Sequence, residues 1–206
     1  MTLGKFFLLV IFYAPYMISG SFHNSKIWMK HIPDSTKLCQ LLIPGTHNSG
    51  SYGTLFGIGQ TQDWSIKEQL ENGIRFLDVR LAENTSPNDF EVIHGFLKLG
   101  SFKKFIMSPV SKFLNDNPSE IILMSINNYG FDFDAESRLE RDFMKNLEYR
   151  FYQRPVNSNT SLNQVSLGRC FCVLILDFVQ SSSIYGYLIQ LFLAPSFGKL
   201  FMIMYL

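Results

Sequence analysis

Two histidines and an arginine stand where a phosphate could be handled: His47 follows one short apolar run, Arg80 ends a second and His94 ends a third. Histidine exchanges a proton near neutral pH. One imidazole can therefore take a proton from an attacking hydroxyl while the other gives one to a departing oxygen. A guanidinium between them can grip two phosphate oxygens and offset the charge that builds in the transition state. Asp78 lies two residues before Arg80, so on a strand it projects to the same face and can orient the arginine or an imidazole. The set predicts phosphoryl transfer that requires no metal. A lone histidine at a strand end is more often structural than catalytic, and it is the second histidine and the arginine that reverse that preference. His23 and His31 lack such company and read as surface residues.

The elements that must position these groups alternate between strand and helix. Leu38 to Ile43 is a short apolar run ended by Pro44-Gly45, a buried strand followed by a sharp loop. Ser65 opens a helix through Asn72, with Glu68 placed for a capping box, and Gly73 stops it. Ile74 to Leu81 reads as the second strand and Phe90 to Ile93 as the third. Phe102 to Leu114 has helical spacing that Pro109 must bend or restart. Ile121 to Ile126 and Cys170 to Leu176 are continuous apolar strands, with a charged helix over Ala135 to Phe151 between them. Strands apolar on both faces and separated by helices predict a parallel α/β sheet. In a parallel α/β barrel the C-terminal strand ends form the active-site mouth, where His47, Arg80 and His94 all fall. With strands about 4.8 Å apart, histidines on the first and third have backbones roughly 10 Å apart, which suits a phosphodiester.

Composition narrows the function further. Among 206 residues, 18 Lys and Arg stand against 17 Asp and Glu, and 47% are apolar. This near-neutral balance lacks the basic footprint of a nucleic-acid binder and is too apolar for a disordered tail. Residues 1–20 have the layout of a cleaved secretory signal: Lys5, an apolar run from Phe6 to Ala14, then Ser19, Gly20 and Ser21. Export predicts a secreted protein, and the sequons at Asn84 and Asn159 agree with it. Three cysteines are too few for a disulfide scaffold; Cys170 and Cys172 read as buried thiols, with Cys39 a possible partner of one of them. Leu55-Phe56-Gly57-Ile58, on the loop after His47, is an apolar patch open to two readings, a rim that dips into a lipid layer or a loop folded into the core.

Five stretches in fixed order resemble the phosphatidylinositol-specific phospholipase C X domain family, in its bacterial-type branch and its X-domain-containing animal members. They are Trp28-Met29-Lys30 to Pro33-Asp34-Ser35, Ile43-Pro44-Gly45-Thr46-His47-Asn48-Ser49-Gly50, Gly73-Ile74-Arg75-Phe76-Leu77-Asp78-Val79-Arg80, Ile93-His94-Gly95, and Phe113 to Ser125. The resemblance runs from about Trp28 to Leu176. It implies a distorted TIM-type (β/α) barrel that cleaves inositol phospholipids, phosphatidylinositol or its glycosylated anchors, to diacylglycerol and a cyclic inositol phosphate. On it, His47 is the general base, His94 the general acid, Arg80 the arginine that stands in for calcium, and Asp78 the acidic residue two positions before it. It also implies a monomer working at a membrane surface.

The departures from the family pattern shape the expectations. Asn48 replaces the aspartate that bacterial members carry after the first histidine. It matches the asparagine of calcium-dependent relatives, which keeps calcium as a minor alternative, although Arg80 opposes a cation. Asn127 stands where a substrate-contacting lysine is expected, so Asn48 and Asn127 are the candidate substrate-binding positions. Residues 21–183 supply about five of eight barrel strands, and 184–206 form an apolar tail unlike the family, the product of an altered reading of the gene as readily as a functional ending. A different class of function fits these departures: a non-catalytic X domain that binds inositol lipid or a partner.

Overall fold

The sheet is organised about one central strand. The computed structural model describes residues 25–86, 88–129, 137–139, 141, 161–162, 171–175, 188–194 and 199–205. In chain order these hold β1 (Ile43–Thr46), α1 (Ile66–Glu71), β2 (Phe76–Glu83), β3 (Phe90–His94), β4 (Leu97–Ser101), α2 (Ser108–Asp116), β5 (Ile121–Tyr129), β6 (Phe171–Ile175), β7 (Leu188–Ala194) and β8 (Lys199–Tyr205). β1, β2, β5 and β6 run parallel in the order β1-β2-β5-β6. With α1 and α2 between them they form the expected α/β layer, part of a barrel rather than a whole one among the described residues. The first strand is displaced: Leu38–Gln40 make a 3-10 turn, and β1 begins at Ile43 with Pro44-Gly45 inside it rather than ending it.

The third predicted strand is a correction. β3 runs antiparallel to β2, pairing Leu81 with Val92 and Glu83 with Phe90, and turns back into β4. The reason is legible in the chain length. Only residues 84–89 join β2 to β3, whereas a parallel crossover takes a dozen or more. The 10 Å spacing of parallel first and third strands therefore does not apply.

This hairpin converges on the same place by another route. β5 occupies one edge of β2 from Phe76 to Ala82, so β1 at Phe76–Leu77 and β3 at Leu81–Glu83 share the other edge. Extending the two registers puts His47 level with Asp78 and His94 level with Val79. A register shift between Val92 and Ile93 on the β4 side lies just before His94; such bulges commonly re-aim the side chains beyond them.

Local signals behave as the residue types require. Ser65 Oγ accepts the Glu68 N–H at 3.3 Å and the Glu68 carboxylate accepts the Ser65 N–H at 2.8 Å, the reciprocal cap of α1. Gly73 ends the turn at φ +95°, a conformation that favours glycine. A π-helical turn over Lys103–Met107 gives way to α2, whose first turn holds Pro109, so the proline restarts the helix as expected. Of the predicted helix over Ala135 to Phe151, Ser137–Leu139 are helical and most of the rest lies outside the described residues. The signal, His23, Asn159 and Cys170 lie outside them too. The apolar tail makes a hairpin: β7 and β8 pair antiparallel, and β8 runs antiparallel along Ile43–Thr46. It thereby covers the edge of β1 that an open half-barrel would leave bare.

At the foot of the sheet a buried ion pair ties the N-terminal segment to two strands. Arg75 and Glu120 are almost fully buried. All five guanidinium N–H groups have acceptors: Nε reaches Glu120 Oε2 at 2.9 Å, Nη1 the carbonyls of Leu70 and Ile74, and Nη2 both the Lys26 carbonyl and Glu120. The guanidinium also lies over the Phe113 ring at 4.6 Å. Burial pulls the Arg75 proton affinity down, and Glu120 opposes that fall. Glu120→Ala leaves this cation buried without its partner. Equilibrium denaturation should show a loss of about 3–5 kcal/mol, against less for an apolar replacement of both residues.

Candidate active site

The turn after β1 is built to fix His47. Asn48 adopts φ +46°, a left-handed conformation that asparagine tolerates better than most residues. Ser49 locks the turn onto β2: its N–H donates to the Asp78 carbonyl at 2.8 Å, and its hydroxyl accepts the Asp78 N–H at 2.9 Å. Beneath lies a buried polar cradle. Thr46 Oγ1 is 2.7 Å from both Ser49 Oγ and Gln69 Oε1, and Gln69 Nε2 donates to the Ser49 and Trp64 carbonyls. From above, Gln62 Nε2 donates to the His47 carbonyl at 2.7 Å and Thr61 Oγ1 to the Asn48 carbonyl at 3.0 Å. Gly50 permits close packing, since a Cβ there would come within 2.7 Å of Val92 Cγ1.

Asp78 is the hub of the site. Its Oδ2 accepts from His47 Nδ1 at 2.8 Å and from the Asn48 N–H at 3.0 Å, and its Oδ1 accepts from Asn127 Nδ2 at 3.2 Å. Asp78 is 6% exposed. Burial works to raise its pKa, but the His47 hydrogen bond, the Asn48 N–H and the charges of His47 and Arg80 outweigh it and hold the carboxyl below its ordinary value. With Nδ1–H given to the carboxylate, the neutral form of His47 carries its lone pair on Nε2, as a general base requires. Asn48 Nδ2 lies 2.9 Å from that nitrogen and caps it.

The structure thus brings His47, Asn48, Asp78 and Asn127 into one hydrogen-bonded group, with Arg80 acting on Asp78 through its charge. Both asparagines expected to bind substrate contact members of this group through their Nδ2 atoms. His94 joins it through the intervening loop, its Nδ1 lying 2.6 Å from the Gly59 carbonyl. His31 is exposed, as read. Within this site, among the described residues, two buried polar atoms have no hydrogen-bond partner: Asn48 Oδ1, an acceptor, and Arg80 Nε, a donor. Sequence reasoning missed Ser49, Ser51, Gly59 and Gln69. Only Gln69 left a signal, a polar residue between the apolar Ile66 and Leu70 on the buried face of a helix.

Comparisons with known proteins decide the family. The PI-PLC X family model matches residues 35–183. The chain belongs to the PI-PLC X domain family. It is 36% identical over 121 residues to the 1-phosphatidylinositol phosphodiesterase of Listeria monocytogenes, covering 53% of this chain and 37% of that protein. To PI-PLC X domain-containing protein 2 of Homo sapiens it is 29% identical, covering 54% and 47% respectively. Among solved structures, a phosphatidylinositol-specific phospholipase C of Staphylococcus aureus superposes with a TM-score of 0.65 at 26% identity, over 75% of this chain and 53% of that one. The enzyme from Listeria monocytogenes gives 0.63 at 30% identity, over 75% and 57%. The chain therefore spans about half the length, or less, of these relatives. The shared fold is the TIM-type α/β barrel that the resemblance implied, and the described residues form part of one.

The depressed Asp78 carboxyl has a consequence for acid stability. Its proton affinity is lower folded than unfolded, so its contribution is present above the ordinary carboxylate value near 4 and is lost as pH falls through the lower folded value. Urea denaturation from pH 6 down to pH 2 should show a shallower acid loss in Asp78→Asn than in the unaltered protein.

Proposed function

We propose that the site cleaves the phosphodiester of phosphatidylinositol, or of a glycosylated phosphatidylinositol anchor, by intramolecular attack. The single observation that carries this reading is the buried Asp78 carboxylate on His47 Nδ1, which leaves a basic nitrogen on the imidazole two strand positions from the Arg80 charge. His47 Nε2 takes the proton of the inositol 2-hydroxyl as that oxygen bonds to phosphorus. The bond from phosphorus to the glycerol oxygen breaks, and His94 supplies the proton that the departing oxygen needs. Arg80 offsets charge on the phosphate oxygens. The unpartnered Asn48 Oδ1 and Arg80 Nε suit a ligand that brings both a hydroxyl donor and an anionic acceptor, as an inositol phosphate does. Products are diacylglycerol and a cyclic inositol phosphate.

No metal enters this scheme. Calcium takes six to eight oxygen ligands, and the candidates here are poor: both Asp78 oxygens are engaged by donors, and Arg80 supplies a fixed positive charge. The substrate is presented at a membrane surface. Leu55, Phe56 and Ile58 are exposed on the loop leading to Gly59, and Phe96 is 91% exposed two residues beyond His94. Apolar side chains on both sides of the acid suit contact with a lipid layer. Secretion behind a cleaved leader and action as a monomer, with no nucleic-acid partner, belong to the same reading. One observation favours a second reading, a non-catalytic domain that binds inositol lipid or a partner: the Asn48 amide sits on the His47 lone pair and must move before the base can act.

Release of cyclic inositol phosphate, measured in chelator, separates the two. The unaltered protein should turn over, and His47→Ala and His94→Ala should each cost on the order of 10²–10⁴-fold. Phe56→Ser with Phe96→Ser should lower the rate on vesicles more than the rate on a soluble inositol phosphodiester. Soluble, folded protein that releases nothing supports the binding reading, and activity that appears only with added calcium overturns the metal-free scheme.

A further inference from the structure

His94 is oriented by a backbone carbonyl rather than by a carboxylate. Its Nδ1 lies 2.6 Å from Gly59 O, so Nδ1 carries the hydrogen and Nε2 is left to exchange the catalytic proton. That carbonyl is itself fixed. It accepts from the hydroxyl of Ser51 at 2.5 Å, and Ser51 is 1% exposed. The Ser51 N–H donates to the Asn48 carbonyl at 2.8 Å, and its own carbonyl accepts the N–H groups of Thr61 and Gln62 at 3.0 Å each. One continuous path thus runs from the turn that holds the base, through Ser51 and Gly59, to the imidazole of the acid.

The residue at 59 has to be glycine for this contact. Its φ is +67°, and a Cβ would stand 2.4 Å from Leu97 Cδ1 and 3.3 Å from His94 Nδ1. Leu97 follows His94 by three residues, so any side chain at 59 would push against the turn that carries the acid.

We propose that Gly59 is the positioning residue of the general acid, and that Ser51 aligns its carbonyl so that one loop sets His94 relative to His47. The proposal rests on the reading of His94 as the proton donor. In that step the inositol 2-oxygen bonds to phosphorus and its proton passes to His47 Nε2; the bond to the glycerol oxygen breaks, and that oxygen takes the proton from His94 Nε2. The Nδ1–H to carbonyl bond keeps the exchangeable proton on Nε2 and supports the imidazolium before transfer.

The leaving group provides a test that a merely structural role would not pass. An alkyl oxygen needs a proton to depart, whereas a nitrophenolate does not, so defects in the acid are felt with the first and masked with the second. Gly59→Ala should lose about 10²-fold in kcat on an inositol alkyl phosphodiester and far less on its nitrophenyl counterpart. Ser51→Ala should show the same selectivity with a smaller loss, which keeps the test open if Gly59→Ala does not fold. Independently, nitrogen-15 spectra of the neutral imidazoles in the unaltered protein should show His94 protonated at Nδ1. Equal losses on both substrates, or a neutral His94 protonated at Nε2, overturn the proposal. Absence of turnover with either substrate while His94 is protonated at Nδ1 removes the acid role together with the proposed function, but leaves the Gly59 contact standing.

Discussion

A buried carboxylate that must be surrounded by donors is the constraint on which this site depends. Asp78 sits in mid-strand at a position almost closed to water, where an unpaired charge would cost several kcal/mol. Its three partners are drawn from two directions: the His47 imidazole and the Asn48 N–H from the turn after β1, and Asn127 from β5. Satisfying Asp78 therefore fixes the imidazole ring, its tautomer and the left-handed turn at once. The geometry needed for a general base is a consequence of satisfying a buried charge.

The two ends of the sheet divide the work. At one end the chemistry-bearing groups gather along the edge of β2 that β1 and β3 share. At the other, Arg75 and Glu120 link the segment around Lys26 and Met29 to β2 and β5, with every guanidinium hydrogen accepted. Between them, the apolar layer of Leu77, Val79, Leu81, Ile122, Met124 and Ile126 holds β2 and β5 in register, which places Arg80 beside Asn127. A shift of one residue between these strands would turn Asp78 away from its partners.

Much of this was legible in the residues, for physical reasons. Helix α1 carried its cap and its stop in Ser65, Glu68 and Gly73. Asp78 and Arg80 were tied by the two-residue period of a strand. The direction of β3 was misjudged because strand patterning records burial and not polarity, although the six-residue link from β2 contained the answer. The pairing of Asp78 with His47 was left open between two partners, since spacing along β2 says which face a side chain takes and nothing of what arrives there. Ser51 and Gly59 gave no signal at all: their roles rest on a backbone carbonyl, and no residue type announces one. The hairpin of β7 and β8 was unreadable because its partner, β1, lies about 150 residues earlier in the chain.

The central claim is that two imidazoles and one guanidinium address a single phosphate. A crystal structure with a non-hydrolysable inositol phosphonate bound tests it most directly. The account predicts the phosphonate oxygens on Arg80, the inositol 2-hydroxyl within hydrogen-bond reach of His47 Nε2 with the Asn48 amide displaced, and the bridging group facing His94 Nε2. A phosphonate seated away from Arg80, or one that meets only one of the two histidines, would contradict it.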